Sequence, residues 1–422
     1  MGGIRCRALI VFLMAAGEVH ASGFQLREES AEGLGNANAG STAKAYDVST
    51  LFHNPAGMTR LEGNQSGASA SWIAPVAKFN GGATVGGAAI AGTTGDNALK
   101  ALAVGSAYAM WDAAPDVKFG LALTAPFGLR SEYKEDWVGR YIALASDLAV
   151  INLSPSVAYR LDRSWSVAGG LQIDWAKTLL TNAINFNALV PGSGDGQARL
   201  SGEDIGVGWT ASVLYEMDEA TRFGLSYRSS VRHAFRGNAE FQGVPGALAG
   251  NVNFADSAMD TTITLPDTVA FGFYHYISPR WAVMSDVMRT RWSAQRTLRV
   301  GFDSGRPDVV SQLNWKDTWF VSLGATYQAT ERLKLHMGTA HDTSLVSDQY
   351  RTARIPDSDR VWLSGGLSYA VAPGCQVSLS YAHVFGGSVP INETDPSGIG
   401  GRVTGTYDNH VDIVSAGVSF RF

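Results

Sequence analysis

The sequence predicts an all-β protein, and more narrowly a transmembrane antiparallel β-barrel of fourteen strands with an N-terminal hatch inside its lumen. Three observations point there. Apolar and polar residues alternate with period two in segment after segment, the connectors between segments are short and long by turns, and the composition is Gly-rich and charge-poor without being apolar overall.

Gly supplies 48 of the 422 residues and charged residues only 17%, against usual shares of about 7% and about 25%. Mean hydropathy is −0.01. With 11 Trp, 14 Tyr and 18 Phe the chain has ample drive to bury surface, which excludes a disordered polymer. Helical membrane spans need about 18 or more consecutive apolar residues. The longest such run lies at 8–17, so helical spans are excluded.

The first 21 residues read as an export address. Arg5 and Arg7 precede an apolar core at 8–16, and Val19-His20-Ala21 forms an A-x-A-like cleavage site. With Arg5, Arg7 and Glu18 removed, the formal charge of −5 becomes −6, which gives no reason to expect nucleic acid as a partner. Cys6 leaves with this segment, so Cys375 stands alone and no intramolecular disulfide is expected.

Residues 22–63 follow as a hatch. They are dominated by small residues and lack a sustained period, so they read as a compact plug. A fourteen-stranded barrel is wide enough to need one.

The barrel is read over 64–422. The alternation is plainest where Trp165, Val167, Leu171, Ile173 and Trp175 oppose Ser166, Ala168, Gln172, Asp174 and Ala176. It recurs where Phe223, Leu225 and Tyr227 oppose Arg222, Gly224, Ser226 and Arg228. Strand candidates open near 64, 98, 117, 148, 165, 205, 221, 261, 280, 312, 331, 359, 375 and 409. Short connectors at 112–116, 161–164, 217–221, 277–280, 328–332 and 371–374 interleave with long ones at 80–97, 129–147, 181–204, 236–260, 301–311, 342–358 and 386–408. A soluble sandwich has no reason to sort connectors by rim in this way, whereas an outer-membrane barrel has periplasmic turns and extracellular loops. The terminal strand ends on Phe422 with apolar residues at alternate positions, a pattern that resembles the signal read by the barrel assembly machinery.

Certain motifs then carry a resemblance. Gly23-Phe24-Gln25-Leu26, Gly33-Leu34-Gly35, Asn54-Pro55-Ala56, Phe127-Gly128-Leu129, Gly139-Arg140-Tyr141, Leu265-Pro266, Trp315-Lys316-Asp317 and the run from Ile355 to Ser364 occur in the order found in one family. The chain resembles the FadL family of outer-membrane transporters for long-chain fatty acids and other hydrophobic compounds. The resemblance implies a Gram-negative outer-membrane location, a monomer, no cofactor and no metal. It implies outer-membrane lipid and lipopolysaccharide as surroundings, and a hydrophobic small-molecule ligand that is captured among the loops, held in an inner pocket and released sideways at a kink in the third strand.

The residues expected to serve such a route are these. Phe24 at the mature N-terminus is implied as a ligand contact. Phe186, Leu189, Val190, Phe241, Val244 and Leu248 form an apolar patch in the third and fourth long loops, readable as ligand capture or as self-packing of the loops. Lys316 and Lys177 are the cations offered to a carboxylate head group, since a charge brought into an apolar cavity needs a partner. Asn54, Pro55 and Ala56 read as a gate or as a plain connector from plug to wall. Pro126, with Phe127 and Gly128, marks a distortion in strand three or the place where that strand ends, because Pro cannot donate to a ladder.

An outer-membrane hydrolase is the rival from another class. The chain has neither H-E-x-x-H nor G-x-S-x-G, and its histidines are spread over separate strands, so catalysis is not expected. Gly192-Ser193-Gly194-Asp195-Gly196 reads as a flexible loop. A general porin is opposed by the hatch. Monoaromatic hydrocarbons remain the alternative ligand to a fatty acid, since a hydrocarbon needs no charge partner.

Overall fold

The computed structural model describes residues 24–395 and 398–422. The export segment read at 1–21 lies outside the described residues, as do the first two residues of the hatch. Among the described residues, fourteen antiparallel strands form one closed sheet. β1 is Gln65–Val85, β2 Leu102–Ala114, β3 Val117–Glu132, β4 Ala145–Arg160, β5 Trp165–Ile184 and β6 Gly196–Glu216. Four interrupted strands come next: β7 (Thr221–Arg228 and Val231–Gln242), β8 (Ser257–Leu265 and Thr268–Ser278), β9 (Trp281–Thr290 and Thr297–Phe302) and β10 (Val309–Gln312 and Thr318–Gln328). β11 is Leu333–Asp342, β12 Arg360–Ala372, β13 Cys375–Thr394 and β14 Arg402–Arg421. β14 returns to β1 from Gln65↔Arg421 to Thr84↔Arg402, so the last strand closes the ring on the first.

Strand starts at the short-turn rim fall where the alternation put them; β3, β5, β7 and β13 open at the expected residues. On the other rim several starts come earlier than expected, most of all β6 at 196 against 205 and β14 at 402 against 409, whereas β2 opens later, at 102 against 98. Above the bilayer the ladder continues, but the outward side chains become polar, as at Arg199, Ser201 and Glu203. Apolar alternation therefore stops before hydrogen bonding does. Most of the long loops are correspondingly shorter than expected, and Phe241 lies on β7.

Burial is inverted relative to a soluble protein. On β5 the polar set Ser166, Gln172 and Asp174 is buried, while Trp165, Leu171 and Trp175 are exposed. Only an apolar solvent makes the second set favourable, at about 25 cal/mol per Å² withdrawn from water. Two aromatic rows bound this outward band. Trp165 lies 4.5 Å from Tyr215 and Trp281 4.7 Å from Tyr327 on the short-turn side, while Trp209 lies 5.0 Å from Tyr227 on the other. On β9 the outward run from Trp281 to Arg289 matches the roughly 9–11 residues a tilted strand needs to cross.

The hatch runs through the lumen. Its helices α1 (Ala31–Gly35) and α2 (Thr50–His53) and a 3-10 turn at Pro55–Arg60 are short. They are held by caps rather than length: Ser30 Oγ accepts from the Gly33 N–H, and Asn54 Oδ1 from the Ala56 N–H. The wall is thinned to receive it. A Cβ on Gly224 would lie 1.9 Å from the Thr42 carbonyl oxygen, and one on Gly338 would lie 2.1 Å from that of Asn36.

Candidate functional site

The kink in β3 is the first element of the site. The β3–β4 register slips between Thr124 and Phe127, and the ladder then resumes at Phe127↔Val150 and continues to Glu132. Pro126 therefore sits within the strand, not at its end. On the other side, pairing with β2 stops at Ala107↔Leu123, which leaves the edge of β3 above that point without its barrel neighbour. The N-terminal segment fills the gap as a short added strand. Leu26 N–H donates to the Pro126 carbonyl at 2.9 Å, and Gly128 N–H donates to that of Phe24 at 2.8 Å.

That pairing inserts the Phe24 ring into an aromatic box. Its centroid lies 4.5 Å from Trp292, 5.5 Å from Trp315 and 6.3 Å from Phe127. The box belongs to an apolar cluster with Leu129, Leu148, Val150, Val231, Phe235, Leu265, Leu345 and Val346. Trp292 and Trp315 occupy the interruptions of β9 and β10, where the chain leaves the ladder and can turn a large side chain inward.

Beside the box lies a small, partly open recess between hatch and wall. Gln25, Phe52 and His53 of the hatch, Pro126 and Phe127 of the kink, and Gln172, Arg228, Ser229, Val231 and Pro266 of the facing wall line it. Its lining is mostly apolar, with a few unpartnered polar atoms. Arg228 stacks over Phe52 at 4.4 Å and donates through Nη1 to the Phe52 carbonyl at 3.4 Å. Its enclosed Nη2 has no hydrogen-bond partner among the described residues, and neither has Trp292 Nε1 or His53 Nε2. Burial, with Lys44, Arg228 and Arg27 nearby, holds the His53 imidazole down at about 3, so it is neutral.

The Asn54-Pro55-Ala56 motif is tied to both plug and wall. Asn54 is fully buried; its Nδ2 donates to the Thr42 carbonyl at 2.7 Å and to that of Val213 on β6 at 3.0 Å. Ala56 N–H reaches Ser212 Oγ at 3.2 Å, with Pro55 between them starting the 3-10 turn. Further along, Asn36 donates to the Ala325 carbonyl at 2.8 Å, and Ser106 and Tyr108 donate to that of Glu29 at 2.7 and 2.9 Å. Burial pushes the Glu29 carboxyl up to about 8, helped by the charge of Glu28, and that of Glu28 up to about 7.

The two lysines offered as head-group partners lie elsewhere. Lys177 is exposed on the outward face of β5, in the same alternation set as Trp165, Leu171 and Trp175. Lys316 is exposed in the interruption of β10, next to the inward Trp315. Neither lines the recess, and Arg228 is the cation that does. Its place was readable, because the alternation that sets Leu225 and Tyr227 outward sets Arg228 inward.

The loop patch divides. Phe186 is buried beneath half-buried Phe241, Val244, Leu248, Phe254 and Ile399, with Phe254 5.0 Å away. Val190 is half-buried and Leu189 is 42% exposed. Loops from three parts of the chain thus pack on one another and leave an apolar margin outward.

Comparison with known proteins agrees with this arrangement. The profile of the outer membrane protein transport family (OMPP1/FadL/TodX) matches residues 12–422. The long-chain fatty acid transport protein of Escherichia coli (strain K12) is 30% identical over 407 residues, covering 88% of this chain and 90% of that one. In fold, a Pseudomonas aeruginosa FadL homologue superposes with a TM-score of 0.89 at 20% identity, covering 95% of this chain and 100% of the other. The Pseudomonas putida toluene transporter TodX gives 0.72 at 16%, covering 94% and 99%. The chain therefore belongs to the OMPP1/FadL/TodX family, an outer-membrane transporter of hydrophobic compounds and not an enzyme.

Proposed function

We propose that the barrel takes up long-chain fatty acids passively, gated by the ligand itself, with exit sideways at the β3 kink. Ligand meets the apolar margin of the loop cluster and passes to the recess beside Phe24. It then displaces the Phe24–Leu26 segment from β3. The gap left between β2 and β3 above Leu123 opens toward the bilayer, where an alkyl chain partitions at about 0.8 kcal/mol per CH₂.

The observation that carries the fatty-acid reading is Arg228. An enclosed guanidinium with a free N–H at the wall of an apolar recess suits a carboxylate, whereas a hydrocarbon gives it nothing to bond. The aromatic box favours the second reading, a monoaromatic hydrocarbon, because Phe24, Phe127, Trp292 and Trp315 present faces and edges to a ring. Equilibrium binding of oleate and toluene to the parent and to Arg228→Met separates the two. A charge-assisted contact contributes about 1.5–3 kcal/mol, so oleate should weaken roughly ten- to hundredfold while toluene holds. Unchanged oleate affinity, or toluene bound more tightly than oleate by the parent, would contradict the proposal.

A further inference from the structure

The outward surface at the interruptions of β7–β10 carries a cluster of cations that the transport route does not use. Arg232 on β7, Arg289 near the end of the first β9 segment, Arg291 and Arg296 at the two ends of the β9 interruption and Lys316 in that of β10 are all exposed. They form one patch. Arg232 is registered opposite Thr264 of β8. The Thr264 N–H donates to Gln295 Oε1 at 2.8 Å, and the neighbouring Arg296 carbonyl accepts from Leu313 and Asn314 N–H at 2.8 and 3.0 Å. Adjacent strands lie about 4.8 Å apart, so the patch spans roughly 15 Å from β7 to β10.

Charge balance sets this level apart from the one above it. Higher on the same wall, Arg199 faces Glu240 at 3.9 Å, and Arg299 is shared between Asp260 at 3.9 Å and Asp308 at 2.6 Å. At the interruptions, Arg291 pairs with Asp267 at 2.6 Å and Arg289 pairs with Asp317. Arg232, Arg296 and Lys316 have no carboxylate partner among the described residues. Their height is informative as well. Trp319, 48% exposed, is registered beside Arg289, and the outward face below turns apolar through Val287, Val321 and Leu323. Aromatic side chains mark the level of lipid head groups, so these cations stand in the head-group layer of the outer leaflet.

We propose that this patch binds the phosphorylated sugar head of an outer-leaflet glycolipid. Guanidinium groups match phosphate oxygens in paired hydrogen bonds, and the lysine adds a point charge beside them. The interruptions serve the site directly: outside the ladder, Arg296 and Lys316 are free to turn out while Trp292 and Trp315 turn in. The lipid's acyl chains lie along the apolar face below.

Native mass spectrometry of the purified full barrel in detergent tests this, with bisphosphorylated lipid A and the same lipid dephosphorylated as probes. The parent should retain the bisphosphorylated form at least about tenfold better. The triple variant R232Q/R296Q/K316Q should lose that preference while keeping heat-modifiable mobility on gels. Equal retention of the two lipids by the parent would overturn the proposal whatever the variant does. A preference kept by the folded triple variant, or by both single variants R296Q and K316Q should the triple not fold, would overturn it too.

Discussion

Asn54 shows how one side chain couples plug to wall. Its amide closes the hatch on itself through Thr42 and on β6 through Val213, and its oxygen caps the turn that Pro55 starts. Deleting it leaves two buried carbonyls short of a donor, a cost of about 1–3 kcal/mol each. One of these carbonyls belongs to the wall, but the strand pairing of Val213 with Val167 and Leu225 does not involve Asn54. Asn54→Ala should therefore keep heat-modifiable folding and change oleate uptake. Loss of both together, or of neither, would refute a gating role. The motif was visible in the sequence, but its partners on β6 lie about 160 residues away and follow only from closure of the ring. The proposed head-group cation is a different case: Lys316 carries a motif, but the parity of Arg222, Gly224, Ser226 and Arg228 assigns the inward position to an arginine.

At the scale of elements, the strands that span the bilayer were legible because water outside and lipid outside demand opposite faces. The interruptions of β7–β10 were not. Alternation resumes on both sides of each break, and the cause is local: Pro266 in β8 lacks a ladder donor, and Trp292 and Trp315 turn inward from β9 and β10. The hatch was legible as a segment without a period, but not as a set of contacts, since it docks through backbone carbonyls that carry no sequence signature. Gly224 is where this matters. A methyl group there meets the Thr42 carbonyl oxygen at 1.9 Å and Asn54 Nδ2 at 2.9 Å, so the hatch has to move before the wall does. Gly224→Ala should preserve the barrel and raise hydrogen exchange across 40–57 at least about tenfold. Unaltered protection of that segment would show that the hatch is not pressed against β7.

For the whole molecule, the proposed route treats the ring as the frame and the segment from Phe24 to Leu26 as the part that moves; that segment is added to β3 by two hydrogen bonds at the place where β2 departs. Gln25 stands opposite Phe127 in that added pairing. Directly opposed antiparallel residues have Cα atoms about 4.5–5.5 Å apart, within disulfide reach. Uptake of oleate by Gln25→Cys/Phe127→Cys in a Cys375→Ser background, oxidised and then reduced, tests ligand-gated release most directly. The tethered form should transport at least about tenfold more slowly than the same protein after reduction. Equal rates in the two states would contradict an exit that requires the N-terminal segment to leave β3.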